Sequence, residues 1–198
     1  MAAPRPLRSL ALAALAALLS TTAQARPAPG AAAPQKAQAP VTLDELYARL
    51  KAAEDDAEAK GIAKLIERRQ DRSGSATVDL LTERARQAMS GGDLPLAIEL
   101  MDRATTLEPD WSEGWNRRAS VFWRLQDHAS AIADLKRTLV LEPRHFEAWA
   151  ALGRIYQSMD DKPRALEAFR RAAALYPRMD NLQSAINRIA PDVDGRDL

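Results

Sequence analysis

A 34-residue recurrence of side-chain size constrains this chain more than any other feature. Proline stands at Pro109, Pro143 and Pro177, and a large residue at Leu81, Trp115 and Trp149. Small residues recur at Ala85, Ala119 and Gly153 and again at Ala97, Ala131 and Ala165, and a second large residue at Met101, Leu135 and Phe169. A period of this length holds two helices and a turn. One such pair cannot bury its apolar face alone, so the units must stack. In the third unit Trp149, Gly153 and Tyr156 share a helix face that Ala165, Phe169 and Ala172 can answer from the second helix. Gly153 and Ala165 let the backbones approach while the aromatics fill the space beside them. The proline then stops the second helix.

The spacing predicts units over 78–111, 112–145 and 146–179, with Asp93 as an N-cap and Pro95 and Pro163 inside first turns. Before them, Thr42 and Glu45 make a capping-box signature, followed by Leu43, Leu46, Tyr47 and Leu50 at helical spacing. A second helix follows over 57–69, with Ile62, Leu65 and Ile66 on one face. We read 42–77 as an N-terminal helical cap over the exposed end of the first unit, a degenerate fourth unit being the competing description. At the other end, Asp180 is expected to cap a final helix over 180–190 carrying Leu182, Ile186 and Ile189, with a short tail over 191–198.

The first 25 residues read as a cleavable export signal. Arg5 and Arg8 precede the alanine/leucine run from Leu10 to Leu19, and Ala23-Gln24-Ala25 supplies a small-x-small site, with cleavage expected after Ala25. The run is too short to span a bilayer. Residues 26–41, rich in alanine and proline, have little to bury and are expected to be a disordered tether. The mature protein would then be periplasmic or secreted. Removing Arg5 and Arg8 leaves 26 basic against 27 acidic side chains, which is not the footprint of a nucleic-acid binder. Cysteine is absent, which excludes thiolate nucleophiles and cysteine-based zinc sites.

The pattern resembles the tetratricopeptide repeat (TPR), and residues 72–81, 115–119 and 141–146 resemble the exported tetratricopeptide proteins of alphaproteobacteria in particular. The resemblance implies an all-α, right-handed superhelical solenoid of three helix-turn-helix repeats flanked by caps. It also implies a non-catalytic role, binding a protein or peptide on the concave face. That face is expected at positions 2, 5, 9 and 12 of each repeat: Asp79, Thr82, Arg86 and Met89; Glu113, Asn116, Ser120 and Trp123; Glu147, Ala150, Arg154 and Gln157. Arg86 and Arg154 suit a carboxylate, Asn116 a peptide backbone and Trp123 an apolar anchor, and Met89, Ser120 and Gln157 complete the candidate groove. The same positions also read as solvated helix faces. The superfamily's chaperone-binding clamp would require lysines, asparagines and an arginine where this chain has Thr82, Arg86, Arg117, Glu147 and Ala151, which argues against an acidic chaperone tail.

No catalytic site, metal site or cofactor is expected. No phosphate-cradling glycine loop or HExxH spacing is present. His128 and His145 read as structural, with His145 and Arg144 expected to hydrogen-bond across an inter-repeat turn. The competing functional reading is a scaffold that self-associates through its end faces. A small envelope hydrolase relying on the histidines is a third.

Overall fold

The computed structural model describes residues 41–195, so the expected export signal, nearly all of the tether and the last three residues lie outside it. Every regular element among the described residues is a helix. α1 (Leu43–Ala52) and α2 (Asp56–Gln70) form a first hairpin. Three pairs follow: α3 (Ala76–Ser90) with α4 (Leu94–Leu107), α5 (Ser112–Arg124) with α6 (His128–Leu141), and α7 (Phe146–Ser158) with α8 (Lys162–Leu175). A last helix, α9 (Leu182–Asp194), packs on α8.

Local chemistry sets these boundaries. The capping box opens α1, with Glu45 N–H donating to Thr42 Oγ1 at 3.2 Å and Thr42 N–H to Glu45 Oε2 at 2.7 Å. Asp93, Asp127 and Asp161 cap the second helix of each pair by accepting from the amides of Leu96, Ser130 and Arg164. The residue before each cap, Gly92, Gln126 or Asp160, takes a positive φ of 82°, 61° or 56°. The turn demands that conformation whichever side chain is there, and only the first unit supplies glycine.

Each pair closes around its small residues. Ala97, Ala131 and Ala165 are fully buried, and a Cβ built on Gly153 would stand 2.4 Å from the Phe169 ring. Trp115 and Trp149 are half-buried, and their indole N–H groups donate to Pro109 O at 2.9 Å and Pro143 O at 3.0 Å. Each tryptophan thereby ties its helix to the preceding proline turn. One polar tie crosses three helices. Arg118 of α5 donates twice to buried Asp134 of α6 at 2.7 Å, reaches Asp102 of α4 at 3.0 Å, and lies 4.6 Å from the Trp115 ring centroid.

The first hairpin does not lie where the sequence placed it. It runs along the row of turns between units instead of closing the end of the first. Trp111 donates to Gln70 O at 2.7 Å, Arg144 pairs with Asp44 at 2.5 Å, and Arg178 bonds Ala53 O and Asp56 at 3.1 and 3.0 Å. Leu46, Tyr47, Leu50, Ile62 and Ile66 share a core with Phe146 and Tyr176. The reason is in the third unit, which puts Phe146 and Tyr176 at positions occupied by Ser112 and Glu142 in the second. The apolar face of the hairpin follows those two rings. The first unit, left without this cover, exposes 54% of Leu80, whereas the equivalent Gly114 and Ala148 are buried.

The last helix also departs from expectation. It begins after Asn181, whose φ is 60°, because Asp180 pairs with Lys60 at 3.0 Å. It continues through Pro191 to Asp194, past residue 190, its expected end. Lys162–Asp192 at 2.6 Å and Arg170–Asp194 at 2.5 Å hold the final turn on α8.

Candidate functional site

The first helices of the pairs, with α9 after them, leave three pockets in a row. Between α3 and α5 a cavity of about 180 Å³ is lined by Ala85, Arg86, Met89, Met101, Ser120 and Val121. Between α5 and α7 a narrower one of about 70 Å³ has Ser120, Trp123, Leu135, Arg154 and Ile155. Between α7 and α9 the space opens again to about 200 Å³, bordered by Arg154, Gln157, Phe169, Met179, Leu182 and Arg188. Ser120 belongs to the first two and Arg154 to the last two, which makes the row one continuous track.

Six of the seven expected groove residues meet here: Arg86, Met89, Ser120, Trp123, Arg154 and Gln157. Asn116 lines none of the three, and its amide donates to Glu113 Oε2 at 3.0 Å. Trp123 is half-buried and stacks on His128 with ring centroids 5.0 Å apart, which holds the indole in place beside Arg154. The pocket floors come from residues that position counting passes over, Met101, Val121, Leu135 and Phe169. They enter from the second helices or from the core side of α5. Arg188 was missed because it belongs to the capping helix, outside the repeat register, and Met179 because it lies in the turn that closes the third unit and not on a first helix.

The second positions, Glu113 and Glu147, face the first hairpin and form a polar core with His145. The donor atoms of these three residues all lie within 4.8 Å of one another. His145 is wholly buried, Nδ1 accepting the Ala148 amide at 3.3 Å and Nε2 lying 3.0 Å from Glu113. An Nδ1 that accepts leaves the proton on Nε2, so the ring donates to Glu113. In this arrangement the trio is a hydrogen-bonded core. The expected bond between His145 and Arg144 is not formed, because Arg144 is held by Glu142 and Asp44.

Burial alone would raise the Glu113 pKa, but the hydrogen bond from His145, together with the charge and hydrogen bond of Arg117, outweighs it and holds the carboxyl low. Glu147 goes the other way, pushed up to about 7 by burial and then by the charge of Glu113. Glu67 and Asp71 of the hairpin add to that rise. Between the ordinary value of 4.5 and about 7, the folded protein keeps a proton that the unfolded chain sheds. Stability therefore falls as pH rises through that window and stays low above it. Glu147→Gln is expected to flatten this fall and to be about 1–3 kcal/mol more stable than wild type at pH 8, with little gain at pH 4. Urea unfolding at the two pH values measures the difference. Equal pH dependence in both proteins would contradict it.

Comparison with known proteins gives one family. A profile described as tetratricopeptide repeat matches residues 82–141 and 116–180, together half of the chain. A TPR repeat-containing protein of Rhizobium etli is 35% identical over 94 residues, which cover 48% of this chain and 46% of that protein. The match thus spans about half of the relative's length. Among solved structures, the first TPR of Spaghetti (RPAP3) bound to the HSP90 peptide SRMEEVD superposes with a TM-score of 0.57 at 19% identity, covering 61% of this chain and 95% of that one. MamA gives 0.56 at 20%, covering 78% of each chain. The TPR2B domain of yeast Sti1, in a pHsp70 complex, gives 0.55 at 16%, covering 60% and 99%. At these identities the structures share the fold with this chain.

Proposed function

Since this chain belongs to the tetratricopeptide repeat family, we propose that it is a non-catalytic adaptor of the cell envelope, holding an extended peptide or a helix of a partner protein in its concave groove. The single observation that carries the reading is the continuous track of three pockets with Trp123 fixed at its centre. Such a track suits a ligand that runs across successive first helices, one side chain to a pocket. Of the neighbouring structures, one tetratricopeptide domain is bound to an HSP90 peptide and another is in a pHsp70 complex, which supports the reading by analogy. The envelope location rests on the charged start, the apolar run and the cleavage site within the first 25 residues. His128 and His145 already have structural employment, in stacking and in the buried core, which weighs against hydrolysis.

Trp123→Ala is expected to abolish capture of the partner from an envelope extract while costing far less in stability, because the indole is only half-buried. Affinity capture with wild type and variant, each checked by thermal melting, tests this. Undiminished capture by the variant would refute the groove. A second reading, a self-associating scaffold, draws on exposed Leu80 at the uncovered end of the first unit. Light scattering on the purified protein decides it: a concentration-independent monomer excludes the scaffold.

A further inference from the structure

The two ends of the groove differ in charge. From this we infer that the bound segment is apolar where it crosses α3 and α5 and acidic where it crosses α7 and α9. The inference rests on the groove reading above and adds the chemistry and the orientation of the ligand.

At the α3–α5 end both arginines are already neutralised. Arg86 donates to Glu83 through Nε at 2.8 Å and Nη2 at 2.6 Å, and Arg117 is held by Glu113 at 2.8 Å and by Asp71. What this pocket offers a ligand is the apolar surface of Ala85, Met89, Met101 and Val121. Methionines adapt to side chains of varied shape.

At the α7–α9 end Arg154 and Arg188 border one pocket, and neither has a carboxylate at ion-pair distance among the described residues. Arg154 has exposed surface, yet it sits deep enough in the concavity for loss of solvent to lower its pKa; Glu147 acts on it only through space. A guanidinium that has lost water without gaining a counter-charge is stabilised by an incoming carboxylate, and its fork accepts one in bidentate fashion. Asp180 also borders the pocket, but it is paired with Lys60 at 3.0 Å. Phe169, Met179 and Leu182 give the pocket an apolar floor, so the acidic residue has apolar neighbours to rest on. The occupant is therefore a linear segment of a partner protein in which apolar side chains and aspartate or glutamate lie at opposite ends. These arginines are not at the clamp positions of the chaperone-binding relatives.

The test is selection from a random linear-peptide display library on the purified protein, followed by fluorescence anisotropy with a selected peptide and its glutamine isostere. The selected peptides are expected to be enriched in acidic residues at one end, and the isostere to bind about tenfold or more weakly. In Arg154→Gln/Arg188→Gln the two peptides should bind alike, whereas Met89→Ser should weaken both by the same factor. Peptides without acidic enrichment, or an isostere that binds wild type equally well, would overturn the charge assignment and leave the groove standing. Selected peptides whose binding survives Trp123→Ala would overturn the groove itself, and this inference with it.

Discussion

Gly153→Leu is expected to destabilise the protein by about 3 kcal/mol or more, seen as a melting temperature lower by on the order of 10 °C. The first added carbon already meets Phe169 Cδ1 and Cε1 at 2.4 Å and Cγ at 2.9 Å, and that ring is 2% exposed in the central core. Neither partner can yield cheaply. The ring is enclosed by the core, and α7 is held on both sides, by α8 and by the turn that Trp149 pins to Pro143. Overpacking therefore has to separate the two helices of the third unit and with them the seat of the first hairpin, since Phe146 opens α7 and Tyr176 follows the last residue of α8. Gly61 is the control. A Cβ there meets nothing within 4 Å, and Gly61→Ala inside α2 should stabilise by roughly 0.5–1 kcal/mol through helix propensity alone. Thermal melts of the two variants must move in opposite directions, and a wild-type melt for Gly153→Leu would show that the helix crossing is not where the repeat register puts it.

Arg118→Ala should cost as much, about 3–5 kcal/mol, by a different route. Asp134 is 4% exposed and receives both of its side-chain bonds from Arg118. Removing the guanidinium leaves a buried carboxylate without its counter-charge and also frees Asp102 and the face of Trp115. Because most of that cost is the stranded charge, Arg118→Ala/Asp134→Ala should be less destabilised than the two single variants added together. A double-mutant cycle by urea unfolding measures the coupling. Strict additivity would mean that the tie contributes nothing beyond packing.

How much of this was legible in the sequence follows from how each feature is encoded. The pairs were readable because size recurs at constant spacing, and Asp93, Asp127 and Asp161 cap their helices through bonds made within a single turn. The hairpin's existence was equally local, fixed by Thr42 and Glu45. Its place was not, because it depends on Phe146 and Tyr176, about 100 residues or more away, departing from the composition of the other units. Asp180 and Pro191 mislead for the same reason. Each carries a local signal, for a cap or a stop, that contacts with Lys60 and along α8 override. Position counting picked six residues that line the row of pockets, since a helix face is a periodic property. It could not tell that Asn116 would turn toward Glu113, nor that Glu113 and Glu147 would lie under the hairpin, because those choices are made by neighbours from outside the repeat.

The four tryptophans allow a direct test of the central claim, that the ligand lies along the first helices of the stacked pairs. Trp123 lines the central pocket, Trp111 stands at the seam with the hairpin, and Trp115 and Trp149 against their proline turns. In a two-dimensional amide spectrum, titration with a peptide selected on this protein should shift the Trp123 indole resonance and leave those of Trp115 and Trp149 in place. Movement of Trp115 and Trp149 with Trp123 unchanged would put the ligand on the opposite side of the array and contradict the account.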